Sequence, residues 1–301
     1  MGNQDWKDKP ILPVINSQVH PLYGKIMQSS KAKAVLHDQM KVAVKERAVN
    51  LLRLDEKVAT LGEAIDNGDT NLFFLEMFGK EVMLSSKLIT SLQTSFGMSF
   101  YEQISHKLAT LVGYTAKTQY KLTGFIHADA KNYLDELLED LSYSPDRKSE
   151  YKKLSEIYGS IKKEEIGELA AIPDSTVDVF IKKPDGTEIY IDITTVKPNK
   201  KEFRTMKAKI LKWYFLRLSH GDITPDKIQT FIAIPYNPES STGNSYTRWG
   251  AYYDRKDLLV GDELWKLVSN GNFSLDDMID VFKDIGTESK AKIRTALNGS
   301  V

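Results

Sequence analysis

The chain of 301 residues contains no cysteine. This absence excludes disulfide frameworks, zinc-cysteine sites and thiol nucleophiles, and it fits an intracellular protein without requiring one. An excess of either charge is missing as well, because 41 Lys and Arg residues balance 41 Asp and Glu residues. Net charge therefore gives no argument for a nucleic-acid partner, and such an argument has to rest on local clusters.

Long apolar runs are also absent. No stretch approaches the roughly 20 apolar residues that a helix needs to cross a bilayer, and the start, MGNQDWKDKP, lacks the apolar run of a signal peptide. The five histidines show no metal-ligand spacing, and no glycine-rich phosphate loop or serine elbow is present. The expected location is the cytoplasm, with no membrane partner.

What is present divides into helical patterns and, in the second half, four strands. Apolar residues at helical spacing predict helices from Ser30 to about Ile65 and from Leu84 to Leu92. Further helices are predicted over Phe100–Tyr114, Thr118–Leu141, Lys148–Leu169 and Lys201–Leu218, with two more near the C-terminal end. Strands are predicted over Ser175–Ile181, Glu188–Thr194, Gln229–Ile234 and Leu258–Gly261. This order predicts an α/β protein.

The first two strands form the most informative segment, a hairpin with the turn KPDGT at residues 183–187. Pro-Asp-Gly favours a type I turn closed by a glycine in the left-handed region, and that turn sets the register. Lys182 then faces Glu188 and Phe180 faces Tyr190. Opposite charges and aromatic rings are favourable directly across two strands, so these pairs support the register.

The same register places two acids, Asp178 and Asp192, opposite each other. Like charges with β-carbons about 5 Å apart are destabilising unless a positive charge lies between them. The odd-numbered residues from 177 to 181 and from 189 to 193 are Val and Ile and form an apolar face that must be buried. We therefore interpret the hairpin as a device that holds two carboxylates side by side to bind a divalent cation.

An acid on one strand, a turn and a second acid on the next strand resemble the signature of many type II restriction endonucleases. That signature is Asp, a spacer, then Asp or Glu, any residue, and Lys. Asp178 and the run Asp192-Ile193-Thr194 match it except at the last position, where Thr194 stands in place of the lysine. Thr194 is included among the candidate catalytic residues because it occupies the position of the motif lysine, although this substitution removes a cation from the motif.

Five sequence blocks resemble the TdeIII type of these enzymes, a group within the PD-(D/E)xK nuclease superfamily. In that family the motif strand continues as Glu-Ile-Lys-Thr-Val-Lys-Pro-Asn, and here residues 192–199 are DITTVKPN. The resemblance implies a restriction-endonuclease-like core with a mixed central sheet flanked by helices. It also implies two regions: residues 1–94, an N-terminal arm and helical region, and residues 95–301, the nuclease core with C-terminal helices. The blocks are residues 95–102, 195–200, 234–238, 246–249 and 261–265.

Phosphodiester hydrolysis explains why such residues are needed. Magnesium binds through one or two carboxylates, phosphate oxygens and waters, and it neutralises charge on the phosphate. Asp178 and Asp192 are the expected ligands, and a third carboxylate is expected from Glu102 or, as second choice, Glu168. A nearby lysine can orient the water or stabilise developing charge. Lys197 is the candidate replacement for the missing lysine, although strand parity opposes it unless a bulge turns it towards the site.

Two further segments are candidates for DNA contacts. Residues 197–217 contain eight Lys and Arg residues but one acid. Such a stripe can neutralise the phosphates of DNA. The alternative is that these charges form the solvated face of a helix, as charge runs usually do. The polar and aromatic loop at residues 235–256 contains Asn and Arg, which make paired hydrogen bonds to purines. The alternative interpretation is an ordinary surface loop. The candidate residues are Lys200, Lys201, Arg204, Lys207, Tyr236, Asn237, Tyr246 and Arg248.

These observations predict a magnesium-dependent type II restriction endonuclease that cuts double-stranded DNA at a short palindrome. A twofold homodimer is expected, since each subunit then meets an identical half-site, and the resemblance suggests the target GGNCC. Two alternatives stay open: a catalytically inactive nuclease fold that binds DNA or a protein, for which Thr194 is the best argument, and a nuclease without sequence preference.

Overall fold

The structure, a computed structural model, describes residues 30–139, 144–194, 198–239, 246–248 and 250–298. A five-stranded sheet lies at its centre, with the strands side by side in chain order. The first three strands are antiparallel, and the last three run parallel to each other. The predicted α/β class with a mixed sheet is thus confirmed. The strands are β1 Thr115–Gly124, β2 Ala170–Lys182, β3 Glu188–Ile193, β4 Ile228–Ile234 and β5 Leu258–Val260.

Helices cover both faces of this sheet. One core joins the sheet to α5, α6 and α7, and a second joins its other face to α1, α4, α8 and α9. A π-helical turn at Phe96–Phe100 connects α3 to α4. The helices are α1 Ser30–Leu52, α2 Leu54–Asp66, α3 Leu72–Ser95, α4 Tyr101–Leu111, α5 Ala128–Glu139, α6 Arg147–Ser160, α7 Lys200–Leu218, α8 Asp262–Val268 and α9 Leu275–Asn298.

The hairpin of β2 and β3 has the predicted register. Lys182 pairs with Glu188, and Phe180 pairs with Tyr190. Most of the predicted apolar face, including Ile191, is buried in the second core, but Val177 is buried in the first core and Ile193 is only partly buried. Phe180 and Tyr190 on the opposite face are buried too. Both faces are apolar because a helical layer packs against each of them, as expected for strands in the centre of an α/β sheet.

Two predicted helices are too long, and the helix predicted over Leu84–Leu92 is part of the longer α3. The helix predicted over Thr118–Leu141 is in fact strand β1 followed by the shorter helix α5. β1 lies at the edge of the sheet and alternates exposed with partly buried residues over most of its length, so few apolar side chains marked it as a strand. The helix predicted over Lys148–Leu169 ends at Ser160, because Ile161 has extended backbone angles.

The N-terminal helices divide between two environments. α2 and α3 pack against each other around a small core of their own that includes Val58 and Leu84. α1 instead shares the second core with the sheet, although the sequence grouped it with the region before residue 95. Within the described ranges, no helix is both long and apolar enough to cross a membrane.

Gly124 allows the end of β1 to approach the C-terminal turn of α7. A β-carbon at this position would lie 2.5 Å from the main-chain oxygen of Leu216. Relief of this clash would require a shift of the main chain. Gly124→Ala is therefore expected to destabilise the protein by about 1 to 3 kcal/mol, measured as a lower midpoint of urea unfolding. Gly62→Ala in α2 is the control, because nothing lies within 4 Å of its β-carbon and alanine favours a helix. Equal midpoints for the two variants would contradict this account.

Candidate active site

Asp178 and Asp192 lie where the two strands of the hairpin separate. The ladder between β2 and β3 ends at the pair Val179 and Ile191, one position before the two acids would face each other. The main-chain N–H of Ile193 donates to Oδ2 of Asp178 at 2.7 Å. Next to the last ladder pair, a side-chain carboxylate thus accepts a hydrogen bond from the main chain of β3. This contact holds Asp178 against the end of β3.

Burial and charge make Asp178 unusual among the acids of the chain. Burial, and then repulsion from Asp192, raises the pKa of Asp178 to about 7, while Lys209 opposes the shift and Glu102 adds to it. Asp192 itself is only 5% exposed. The charges of three carboxylates and one ammonium group therefore act on each other at this end of the hairpin.

Glu102 reaches this cluster from α4, which packs against β1. Its Oε2 accepts a hydrogen bond from Nε2 of Gln119 at 2.8 Å, and burial raises the pKa of Glu102. Gln119 has a φ of 48° in the middle of β1 and is skipped in the ladder at the level of Asp178. Strained backbone of this kind is concentrated at functional sites. Glu168, the second choice for a third carboxylate, is exposed before β2.

Helix α7 brings a cation to the acid pair. The helix begins with a capping box, in which Asn199 and Glu202 bond to each other's main-chain N–H groups. Three turns further on, Lys209 donates from Nζ to Oδ1 of Asp192 at 2.5 Å. The same ammonium lies 5.1 Å from the ring centre of Trp213. Lys209 is therefore fixed on one side by a carboxylate and on the other by an aromatic face.

The donor set suits a hard divalent cation, since Asp178, Asp192 and Glu102 all offer carboxylate oxygens. Within the part of the chain that the structure describes, no three His, Asp or Glu side chains converge closely enough to form a metal site on their own. Magnesium commonly uses one or two carboxylates and keeps waters, so the acid pair can serve as its protein ligands. Lys197 lies outside the described residues, and Thr194 donates its main-chain N–H to the oxygen of Ala233 at 2.9 Å.

The exposed side of α7 forms a basic groove that leads to Lys209. This groove has a volume of about 480 Å³ and is lined by Lys200, Lys201, Arg204, Thr205, Ala208, Lys209, Lys212 and, from β2, Asp174. Three of the four helix residues predicted to contact DNA thus line one surface. The fourth, Lys207, is buried and contacts Glu150 and Asp257, so it is not part of the surface that we propose for DNA.

The predicted DNA-reading loop is only partly described. Tyr236 is 43% exposed, whereas Tyr246 is 3% exposed and packs near Phe203 and Tyr253. Asn237 accepts a hydrogen bond from the main chain of Glu239. Arg248 donates to the carbonyl oxygen of Pro198, directly before α7. The loop therefore contacts the start of the basic helix, although Tyr246 has almost no surface to offer.

Two residues at the site were missed by sequence reasoning. Gln119 had no signal, because it stood inside a segment that was interpreted as a helix. Lys209 was counted only as one of eight cations in a stripe, and nothing in the helical spacing distinguishes the lysine that meets Asp192 from its neighbours. Both depend on contacts between elements far apart in the chain.

Comparison with known proteins gives consistent results. Residues 29–286 match the family described as type II restriction endonuclease, HinfI. The chain is similar to the type II restriction enzyme MjaII of Methanocaldococcus jannaschii, with 28% identity over 216 residues, which are 66% of this chain and 54% of that enzyme. It is 21% identical over 254 residues to the type II restriction enzyme HgiCII of Herpetosiphon aurantiacus, covering 82% of this chain and 89% of that enzyme.

The chain thus spans about half the length of the MjaII enzyme and most of the HgiCII enzyme. These matches confirm the broad resemblance to type II restriction endonucleases. They do not confirm the TdeIII type or the PD-(D/E)xK superfamily, which the sequence blocks suggested.

Proposed function

Because the chain belongs to the HinfI family of type II restriction endonucleases, we propose that it is a Mg²⁺-dependent enzyme that cuts duplex DNA within a short palindromic site. The observation that carries this proposal is the pair Asp178 and Asp192 at the open end of the hairpin, with Glu102 and Lys209 close enough to influence the charge of Asp178. Perturbed acids grouped with a cation are typical of catalytic sites.

Hydrolysis forms a bond from a water oxygen to phosphorus and breaks the bond to a bridging oxygen, which leaves with the electron pair and takes up a proton. A bound magnesium ion would supply charge neutralisation and an activated water. Asp178 and Asp192 would hold the ion, and Glu102, whose carboxylate is fixed by Gln119, would accept a proton from the attacking water. The hydrogen bond from Ile193 orients Asp178 before any ligand arrives.

The basic groove on α7 is proposed as the path of the DNA backbone. Lys200 and Lys201 are exposed, and Lys200 and Arg204 both lie over the ring of Tyr252, which holds these cations on the surface. Phosphate contacts position the duplex without reading its sequence. Base reading is assigned to Tyr236, Asn237 and Arg248, on the loop that reaches the start of α7.

A palindromic target implies two copies of the chain, since a twofold dimer presents the same groove to each half-site. The enzyme is proposed to act in the cytoplasm, where it meets the DNA. The resemblance of the sequence blocks to the TdeIII type makes GGNCC the first target to test.

Plasmid digestion tests the proposal. Purified protein with MgCl₂ is expected to give discrete fragments whose sequenced ends share one palindrome, and no fragments with EDTA. A smear would indicate a nuclease without sequence preference. Tight DNA binding with no cleavage in Mg²⁺ or Mn²⁺ would indicate an inactive nuclease fold, the alternative that Thr194 favours because the motif lysine is missing.

A further inference from the structure

We propose that Lys209, on helix α7, is the catalytic cation of this site and supplies from a helix the charge that Thr194 cannot supply from the motif strand. The inference rests on the proposed function and adds to it a residue with a defined role. The ammonium group of Lys209 would contact a non-bridging oxygen of the scissile phosphate and stabilise the negative charge that develops as water attacks.

The position of Lys209 distinguishes it from the other cations of α7. Its Nζ contacts Asp192, and its charge also acts on Asp178 and Glu102. Its side chain is 22% exposed, so a ligand in the groove can reach it. Lys209 thus contacts one acid of the pair and also lines the groove. A phosphate held in the groove next to a metal at the acid pair would lie beside this ammonium group.

The neighbouring cations are committed to other acids. Lys207 is buried against Glu150 and Asp257. Arg217 binds Glu188 and Asp222 at the opposite end of the hairpin. Lys212 lies 3.3 Å from Asp174 at the wall of the groove. Among the cations in the second half of α7, Lys209 is thus the one whose partner belongs to the acid pair.

A purely structural role for Lys209 makes a different prediction. If the lysine only neutralised Asp192, a bound divalent cation would replace that charge, and the loss of the ammonium would leave cleavage intact. If the lysine stabilises the phosphate, cleavage fails although the metal still binds. Metal binding and cleavage must therefore be measured separately.

The first experiment uses Lys209→Met in the full chain with a duplex that contains the site found by plasmid digestion. Single-turnover cleavage is expected to slow by at least about 100-fold, the typical effect of losing one preorganised donor. Binding to the same duplex, measured with Ca²⁺ in place of Mg²⁺, is expected to weaken by less than about tenfold, because one phosphate contact is lost. The rise in melting temperature caused by MgCl₂ is expected to be unchanged or larger.

Lys182→Met is the matched control. It removes an ion pair of similar kind, with Glu188 at 3.0 Å, from the closed end of the same hairpin. Its cleavage rate is expected to stay within about twofold of the wild type. This control separates loss of the active-site cation from any general loss of hairpin stability.

The absence of cysteine from the sequence allows a chemical rescue. Lys209→Cys is expected to cleave as slowly as Lys209→Met. Alkylation of the cysteine with 2-bromoethylamine places an ammonium group at nearly the same distance from the main chain, and it is expected to raise the cleavage rate of the variant at least about tenfold. Alkylation with iodoacetamide adds a neutral group of similar size and is expected to restore nothing.

The outcomes separate this proposal from the proposed function. If the wild type cuts DNA and Lys209→Met cuts it equally fast, Lys209 is not the catalytic cation and the nuclease assignment stands. Rescue by both alkylating agents would show that the Lys209 side chain acts by packing and not by its charge, which would contradict the proposal. A wild type that cuts no DNA with Mg²⁺ or Mn²⁺ would overturn both proposals, whereas a folded, slow variant rescued only by the ammonium supports them.

Discussion

Replacement of Asp178 by asparagine is expected to abolish DNA cleavage and at the same time to stabilise the metal-free protein at pH 8. Asp178 is proposed to hold the metal beside the scissile phosphate, and its loss as a ligand should lower the cleavage rate by at least about 1,000-fold. Stability should rise because the wild type has to keep a buried carboxylate charged next to Asp192. Functional sites often hold groups that destabilise the fold, so lost cleavage together with gained stability is the combination expected of an active-site acid.

The pH dependence follows from the raised pKa of Asp178, about 7 in the folded protein against an ordinary value of 3.8 for aspartate. Between these two values the folded state binds more protons than the unfolded state, so this group's contribution to stability falls as pH rises through that window. Above about pH 7 the penalty is complete. Asp178→Asn carries no such penalty, and its advantage over the wild type should grow from near zero at pH 4 to roughly 4 kcal/mol at pH 8.

Urea unfolding with EDTA at pH 5 and pH 8, together with plasmid cleavage, provides the measurement. Asp135→Asn is the control, because Asp135 is exposed on α5 and should alter neither property. An Asp178→Asn variant that cuts DNA, or that is less stable than the wild type at pH 8, would contradict a metal site at the acid pair.

Replacement of Lys207 by methionine is expected to destabilise the fold by about 3 to 5 kcal/mol, the typical cost of leaving a buried charge without its partner. Lys207 is 1% exposed and lies between Glu150 and Asp257, which are 1% and 0% exposed. Arg147 also contacts Asp257, at 2.7 Å. The four groups are balanced in charge, and removal of the lysine leaves one negative charge in excess inside the core.

Thermal and urea unfolding test this expectation against two comparisons. Lys212→Met breaks an ion pair whose acid, Asp174, is 60% exposed, and it should cost less than about 1 kcal/mol. Addition of Glu150→Gln to Lys207→Met restores the charge balance, so the double variant should be more stable than the single one. A single variant as stable as the wild type would show that the cluster does not stabilise the fold.

The prediction for the hairpin succeeded because its determinants are local. Pro-Asp-Gly fixes the turn, and the four pairs from Lys182 with Glu188 to Val179 with Ile191 follow from it. The predicted pair of Asp178 with Asp192 is not part of the ladder, which ends one position earlier. β1 was missed for the opposite reason. Its polar alternating sequence forms a strand only because β2 offers a long edge for pairing, and the pattern of α5 immediately after it favoured a helix.

The sequence by itself determined the register of the hairpin next to the turn and the α/β class, since these follow from turn geometry and from residue patterns within a short segment. Only the tertiary structure decided which other groups meet the acid pair. Glu102 and Lys209 come from helices on opposite faces of the sheet, and Lys207, two residues from Lys209 on α7, is turned into the core. Such choices depend on how whole elements pack, and packing is set by contacts between residues far apart in the chain.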